Sequence, residues 1–417
     1  MTPSVLPTQA RFTLSGGLVF DGESEQPVQT SVHVVDGAIA GLGDGLPTAD
    51  QTIDVTGKLI APGLIDAHFH AYGVSLSGQQ IDATAPGYLA LQAARRLSAA
   101  LRRGFTTVRD VAGGDPWLAK AVTDGLIDGP EYLYTGPALS QTGGHGDARP
   151  ALVAGPGDPA PAAADCCGAG GSGVMGEVVD GVDALRRAVR ERFRRGAHAI
   201  KIMASGGVIS PTDPLRIPQY SPDEIAAVVA EAQRRGSYVA AHAYSPAAIA
   251  ACLDAGVRSI EHGNLLDAAT AERMAQTGAF LVPTLVTYDA MARRGTDFGM
   301  TVAALAKNAE VLDHGRTAIE LAAAQGVRVG FGTDLMGPLD SEQSAGLRLQ
   351  SDVTGVAATL RSATGVNARL LNRDDLGRIR PGARADLVVF DGNPFQTAEV
   401  LWSPPLAVYR AGRPVAQ

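Results

Sequence analysis

The sequence predicts an α/β chain: a (β/α)8 barrel of the TIM type carrying a small β-sandwich built from both termini. Three observations predict it. Between residues 63 and 365, eight apolar runs of strand length recur. Stretches of helical period, rich in Ala and Arg, separate most of them, the alternation that a parallel sheet with outer helices requires. The flanks, residues 1–62 and 366–417, lack that alternation and break into short strands between Gly and Asp turns. At 417 residues the chain can supply one large barrel and a smaller module, and is too long for a single compact sandwich.

Taken in chain order, RFTLSGGLVFDG, SVHVVDGAIAGLG and TIDVTGKLIAPG supply the strands of the first flank. The barrel runs follow: LIDAHFH, TTVRDV from Thr106, YLYTG from Tyr132, AIKIMA from Ala199, YVAAHA from Tyr238, RSIEHG from Arg258, AFLVPTL from Ala279 and RVGFGTD from Arg328. GYLALQAARRLSAALRRG and SPDEIAAVVAEAQRRG are two of the intervening helices, and Ser221 with Glu224 forms a capping box that opens the second. The connection after the third strand, from Gln141 to about Asp180, is too long for a plain barrel loop and rich in Gly, Ala and Pro. With GGHGD at its start, it is expected to be a lid or substrate-binding loop rather than a structureless insertion. After Gly365, LGRIRPGARADLVVFDGNP and AVYRAGRPV return to β character and are expected to pair with the N-terminal strands.

Composition narrows the function. The formal charge is −8 with both signs intermingled, so no basic stripe faces a phosphate backbone and nucleic acid is not an expected partner. Adjacent Cys166 and Cys167 with distant Cys252 make a poor disulfide framework and show no zinc-finger spacing, which points to a reducing compartment. The first residues lack a basic and apolar leader, and no apolar run reaches membrane-spanning length. A cytoplasmic protein with no membrane partner is expected.

His68 and His70 lie two apart in a strand, so both imidazoles share a face and can reach one ion. Such a pair also arises from packing alone; its place at the end of the first barrel strand, after Pro62 and Gly63, favours metal. Lys201 shares the barrel interior with Ala199 and Met203, while Ile200 and Ile202 take the helix side. A lone ammonium there must lose its charge or find anions. It can pair with an Asp or snorkel to the mouth. It can also add carbon dioxide to give a carbamate, a carboxylate-like ligand able to bridge two metal ions. His242 and His262 close the fifth and sixth strands, where they would project into one quadrant of the mouth. Asp334 closes the eighth, where Gly330 and Gly332 on its face would leave space for a metal centre. His145 in GGHGD and Tyr244, two after His242, are candidates to stabilise an oxyanion or hold substrate, although His145 also suits a loop histidine that fixes turns. Arg109 and Asp110 close the second strand, where a structural ion pair explains them equally well. His33, His198 and His314 are assigned no part in the site, and Tyr288 and Met336 are candidates for selectivity.

PGLIDAHFH, GFTTVRDVAGG, IKIMASGG, HAY, IEHGN, GTD and LGRIRPGARADLVVFDGNP together resemble the metal-dependent amidohydrolase superfamily over nearly the whole chain. KIMASGG, HAY and TGGHGD most resemble its prolidase-like branch of dipeptidases and carboxypeptidases acting on Xaa-Pro or Xaa-Arg, to which ochratoxin-hydrolysing amidases are similar. The resemblance implies His68, His70 and Asp334 on one metal, His242 and His262 on the other, and Lys201 as the bridging carbamate from CO2. Zinc is the default, with Mn²⁺ or Co²⁺ also suited to these donors. It implies attack by a metal-bridging hydroxide on the amide of a dipeptide or N-acyl amino acid, with Asp334 carrying the proton to the departing amine. Homo-oligomers are common among similar proteins. An imidazolonepropionase-like cyclic amidase or a deaminase keeps the scaffold but binds one metal and needs no carbamate, so Lys201 argues against it. A noncatalytic dihydropyrimidinase-like assembly protein loses ligands that this chain retains.

Overall fold

The computed structural model describes residues 11–43, 49–149, 173–210 and 213–416. All eight apolar runs form strands: Leu64–Phe69, Phe105–Asp110, Glu131–Tyr134, Ile200–Met203, Val239–Ala243, Ser259–His262, Phe280–Val282 and Arg328–Val329. Neighbours pair in parallel around the barrel, with the third and fourth joined through Leu139 and Ile202. The ring closes where Ala67 donates to the Phe331 carbonyl at 3.0 Å and Asp334 donates to that of His68 at 2.8 Å. Asn367 staples the seam, its amide donating to the carbonyls of Ile65 and Phe331, both at 2.8 Å.

The third strand is split. Glu131–Tyr134 pairs with the second strand, and after the positive-φ Gly136 the chain resumes as Ala138–Ser140 to meet the fourth. A short strand not expected from the apolar pattern, Gly176–Val178, pairs with Ala138–Ser140 from the far end of the long connection. The expected lid lies mostly in residues 150–172, with Cys166 and Cys167, outside the described residues.

On the helix side, Ile200 and Ile202 pack with Leu185, Ile225 and Val228 of the helices Val182–Arg194 and Pro222–Gln233. Each such side chain, fully removed from water, contributes about 1.5–3 kcal/mol before entropy is counted. The second helix opens with the capping box expected of Ser221 and Glu224. Inside the barrel, Ile65, Ala67, Ala199, Phe280 and Val282 form a hydrocarbon plug, closed beneath by Leu370, Leu371 and Leu376. With the closed end filled, polar groups are left to the opposite end of the strands.

The flanks form two sheets. Ala38–Leu42, Val32–Val35, Phe12–Ser15 and Gln51–Asp54 make one. In the other, Leu387–Phe390 from the C-terminal flank lies antiparallel to Leu59–Pro62 from the N-terminal one, and Phe12, Leu14, Ile60, Leu387 and Tyr409 share the core between the sheets. Leu59–Pro62 runs through Gly63 directly into the first barrel strand; a Cβ at Gly63 would lie 2.0 Å from Thr106 Oγ1, so only glycine permits this approach. Among the described residues no helix is long and apolar enough to cross a membrane.

Candidate active site

The fourth and fifth strands alternate regularly, placing Lys201 two residues above Ala199 on the inner face and His242 opposite Met203 in register. The other ligand candidates reach the mouth through irregularities. In the first strand Ile65 and Ala67 are the inward residues, so strict alternation would turn His68 and His70 outward. A register shift between Asp66 and Phe69 reverses the parity, aiming both imidazoles inward and Phe69 outward. In the sixth strand Ser259 and Glu261 face inward in register with Ala240 and His242, which would send His262 to the helix side. His262 instead takes φ 72°, and Asp334 takes φ 54°. Left-handed backbone at non-glycine residues costs on the order of 1–3 kcal/mol and clusters at functional sites.

These devices bring ligand atoms of His68, His262 and Asp334 within 4.8 Å of one another. Asp334 Oδ1 lies 2.8 Å from His70 Nε2 and 3.4 Å from His68 Nε2. The His242 ring stands 4.6 Å from that of His262, which is 4.8 Å from that of His68. Lys201 is 3% exposed in the same cavity and has no hydrogen-bond partner among the described residues. Gly330 and Gly332 do not leave empty space for a metal: a Cβ on Gly332 would lie 2.6 Å from His68 Cβ, and one on Gly330 2.4 Å from Asn367 Oδ1. Their bareness admits the ligand strand and the seam staple.

Three of these histidines have one ring nitrogen held by a protein hydrogen-bond partner. His68 Nδ1 lies 2.8 Å from Glu261 Oε2, His242 Nε2 is 3.0 Å from the Gly206 carbonyl, and His262 Nδ1 is 2.8 Å from Thr284 Oγ1 and 2.9 Å from the Tyr288 hydroxyl. Each leaves its second nitrogen for a ligand; His70, bonded to Asp334, keeps a buried Nδ1 without a hydrogen-bond partner among the described residues. Burial and neighbouring imidazoles hold His242 and His262 far below the usual histidine range, so both are neutral donors. Burial alone would raise the Asp334 pKa, but the charges and hydrogen bonds of His68 and His70 hold it well below the usual carboxylate range. Burial lowers Lys201 to about 8 against the pull of Glu261 and Asp334. A carboxylate, four imidazoles and an amine that readily sheds its proton are donors that could hold divalent metal.

Glu261 escaped the sequence reading, although its inward parity with Ser259 marked it. It is fully buried, and Arg109 Nη2 donates to it at 2.8 Å. Burial would raise its pKa; Arg109 and His68 bring it to about 2. Arg109 therefore forms its ion pair with Glu261, while Asp110 instead accepts from the Tyr132 hydroxyl and from backbone N–H groups of Ala71 and Ala112. Tyr244 and His145 both reach the site. The Tyr244 hydroxyl is 2.8 Å from that of Tyr288, and the His145 ring stacks on His242 at 4.3 Å. His33 pairs with Thr13 in the sandwich, His314 bonds its own helix, and His198 sits against Tyr238 at the closed end. Above the cluster lies a cavity of about 870 Å³, within the range of ligand sites. Met175, Met203, Met291, Met336 and Ile209 give it an apolar wall, with Arg149 among the polar residues.

Residues 59–415 match the model of the amidohydrolase family. Ochratoxinase of Aspergillus niger is 32% identical, the match covering 93% of this chain and 82% of that protein. Among solved structures, an amidohydrolase superposes with a TM-score of 0.91 at 44% identity, covering 98% of this chain and 99% of the other. A prolidase complexed with N-methylphosphonate-L-proline gives 0.92 at 43% identity, covering 98% and 100%.

Proposed function

The chain belongs to the amidohydrolase family, in its prolidase- and ochratoxinase-like branch, and is a hydrolase of amide bonds; on that premise we propose a two-metal enzyme cleaving dipeptides or N-acyl amino acids. The convergence of His68, His262 and Asp334 within 4.8 Å, with His70, Lys201 and His242 on the same cavity, carries this reading. His68, His70 and Asp334 would hold one ion, and His242 and His262 the other, with Lys201 as a carbamate between them. Zinc suits this donor set, as do Mn²⁺ and Co²⁺. Two such ions supply an acidified water and polarise the scissile carbonyl.

Asp334 starts as a carboxylate, the form that His68 and His70 favour, so it can take a proton from the attacking water and return it to the leaving amine nitrogen. Tyr244, its hydroxyl held by Tyr288, and His145 stand on the wall where the carbonyl oxygen or the rest of the substrate would be held. The methionine wall offers adaptable apolar contact to a side chain or acyl group. The likeness to a prolidase and to ochratoxinase supports a C-terminal amino acid as the leaving half.

The test is a library of dipeptides and N-acyl amino acids offered to the zinc- and bicarbonate-loaded protein, with metal counted by mass spectrometry. Two metals per chain and turnover of this class are expected; failure on all of them alongside turnover of a lactam, lactone or aminopyrimidine would defeat the assignment. Lys201→Ala is expected to lose metal and activity together, and two retained metals with full activity would refute the bridge. The division into 1–62, 63–365 and 366–417, a homo-oligomeric assembly and a cytoplasmic location complete the proposal, to be checked by limited proteolysis, light scattering and fractionation.

A further inference from the structure

One buried cation has no part in the reaction outlined above. Arg96 stands on the helix Pro86–Arg102, which follows the first barrel strand, and it is 2% exposed. A charge so far from water calls for a counter-ion in contact, yet the Asp340 carboxylate stops 3.8 Å from Nη1. Burial lowers the Arg96 pKa to about 10 against the pull of Asp340 and Asp110, so the guanidinium is still charged at neutral pH. Its hydrogen bonds go to backbone instead. Nη2 donates to the Leu335 carbonyl at 2.7 Å and Nη1 to the Gly337 carbonyl at 2.9 Å. A planar fork fixes two such acceptors relative to one another, which the rotating ammonium of a lysine would not do.

These contacts bear on both segments that carry His68, His70 and Asp334. Leu335 and Gly337 follow Asp334, in a stretch bracketed by left-handed backbone, φ 54° at Asp334 and 55° at Gly337. Such backbone at a non-glycine residue persists only where its surroundings over-determine it, and here one side chain grips the carbonyls on either side of Met336. The same guanidinium lies 5.9 Å over the ring of Phe69, the residue between the two histidines that the register shift turns outward. The segments are also stitched to each other: the Asp334 N–H donates to the His68 carbonyl at 2.8 Å, and the Gly337 N–H to that of Gly73 at 2.7 Å. Among the described residues, no hydrogen bond or ion pair of Arg96 goes to the strands that carry His242 and His262. We infer that Arg96 is a positioning residue for one half of the metal centre, holding the Asp334 turn against the His68–His70 segment while leaving His242 and His262 to other supports. This inference rests on the proposed function in one respect, that His68, His70 and Asp334 share one of two ions.

Two measurements on the full-length chain test it. In chelator competition on the zinc- and bicarbonate-loaded protein, Arg96→Lys keeps the charge but not the fork; one ion is expected to weaken roughly 10- to 100-fold while the other moves by less than about threefold. Arg96→Met, which removes the charge and both hydrogen bonds, should weaken the same ion further; should it not fold, Arg96→Lys carries the test. Hydrogen exchange of the metal-free protein, followed by mass spectrometry, shows which half has loosened. The peptide containing Gly337 should exchange about tenfold faster in Arg96→Lys, and the peptide containing Gly263, beside His262, at the wild-type rate. Equal weakening of both ions, no weakening of either, or equal acceleration of the two peptides would overturn the inference, since each marks a general loss of stability or no role at the centre. If the wild type binds fewer than two ions, the two-metal reading fails, and the contrast between the Gly337 and Gly263 peptides decides the role of Arg96 by itself.

Discussion

At the closed end of the barrel, Ile65, Ala67, Ala199, Phe280 and Val282 fill the interior with hydrocarbon; a few residues further along the same strands come His68, Lys201 and Thr284. The lower layer is satisfied by its own contacts. In the upper layer Lys201 and the His70 Nδ1 lack hydrogen-bond partners among the described residues, and His262 and Asp334 sit in left-handed backbone. Strands continuous through both layers thus separate stability from chemistry along their length: the plug holds the strands in place, and the mouth tolerates strained backbone and unpaired polar groups. Substitutions in the two layers should therefore register in different measurements.

Asp334→Asn is expected to have the largest effect. It removes a ligand and the proton carrier together, so kcat/KM should fall by about 10⁴-fold or more, while the midpoint of urea unfolding of the metal-free protein hardly moves. A large loss of metal-free stability would show that the mouth carries fold energy and would erase the contrast. Phe280→Ala is its mirror. Removing a ring that is 1% exposed should cost about 3–5 kcal/mol in unfolding free energy and leave KM and the two-metal stoichiometry of the surviving folded protein unchanged.

The two layers also differ in how far the sequence disclosed them. The eight strands were legible because each is a short apolar run bounded by Gly, Asp or Pro, and Lys201 and His242 obey the alternation that such a run predicts. The same-face reading of His68 and His70 was correct, but the register shift that turns that face inward leaves no mark in the apolar pattern. The positive φ of His262 and Asp334 is likewise invisible, since neither residue type advertises it. Partners distant in sequence were harder still. Arg109 finds Glu261 across 152 positions, a pairing that only the closed barrel creates. Gly330 and Gly332 were noticed for bareness and assigned the wrong occupant, because a glycine records that something approaches without recording what.

Glu261→Gln probes the boundary between the layers. The carboxylate receives Arg109 and Ser259 on one oxygen and His68 on the other, so it joins the barrel interior to a ligand. An amide keeps the shape but cannot satisfy Arg109 and orient His68 as well. Metal affinity, read by competition with a chelator, should weaken roughly 10- to 100-fold. An unchanged affinity would place Glu261 with the plug, as support for Arg109 alone.

The smallest expected effect sits below the plug. Burial, with Arg109 and Arg373 nearby, lowers His198 to about 4 from its ordinary 6.5. The unfolded chain therefore takes up the proton first as pH falls, and the folded state resists it until about pH 4. The stability that comes from keeping His198 neutral is fully present above pH 6.5 and declines as pH drops through the window from 6.5 to about 4. By pH 5.5 the decline should reach about 1 kcal/mol. His198→Gln cannot titrate, so the difference in unfolding free energy between variant and wild type should shift by that amount in the variant's favour between pH 7.5 and 5.5. Taking the difference at each pH cancels the acid loss of metal from the mouth, which both proteins share. A difference that does not change with pH would mean that His198 is hydrated enough to protonate in place, and that the closed end is less dry than its hydrocarbon plug implies.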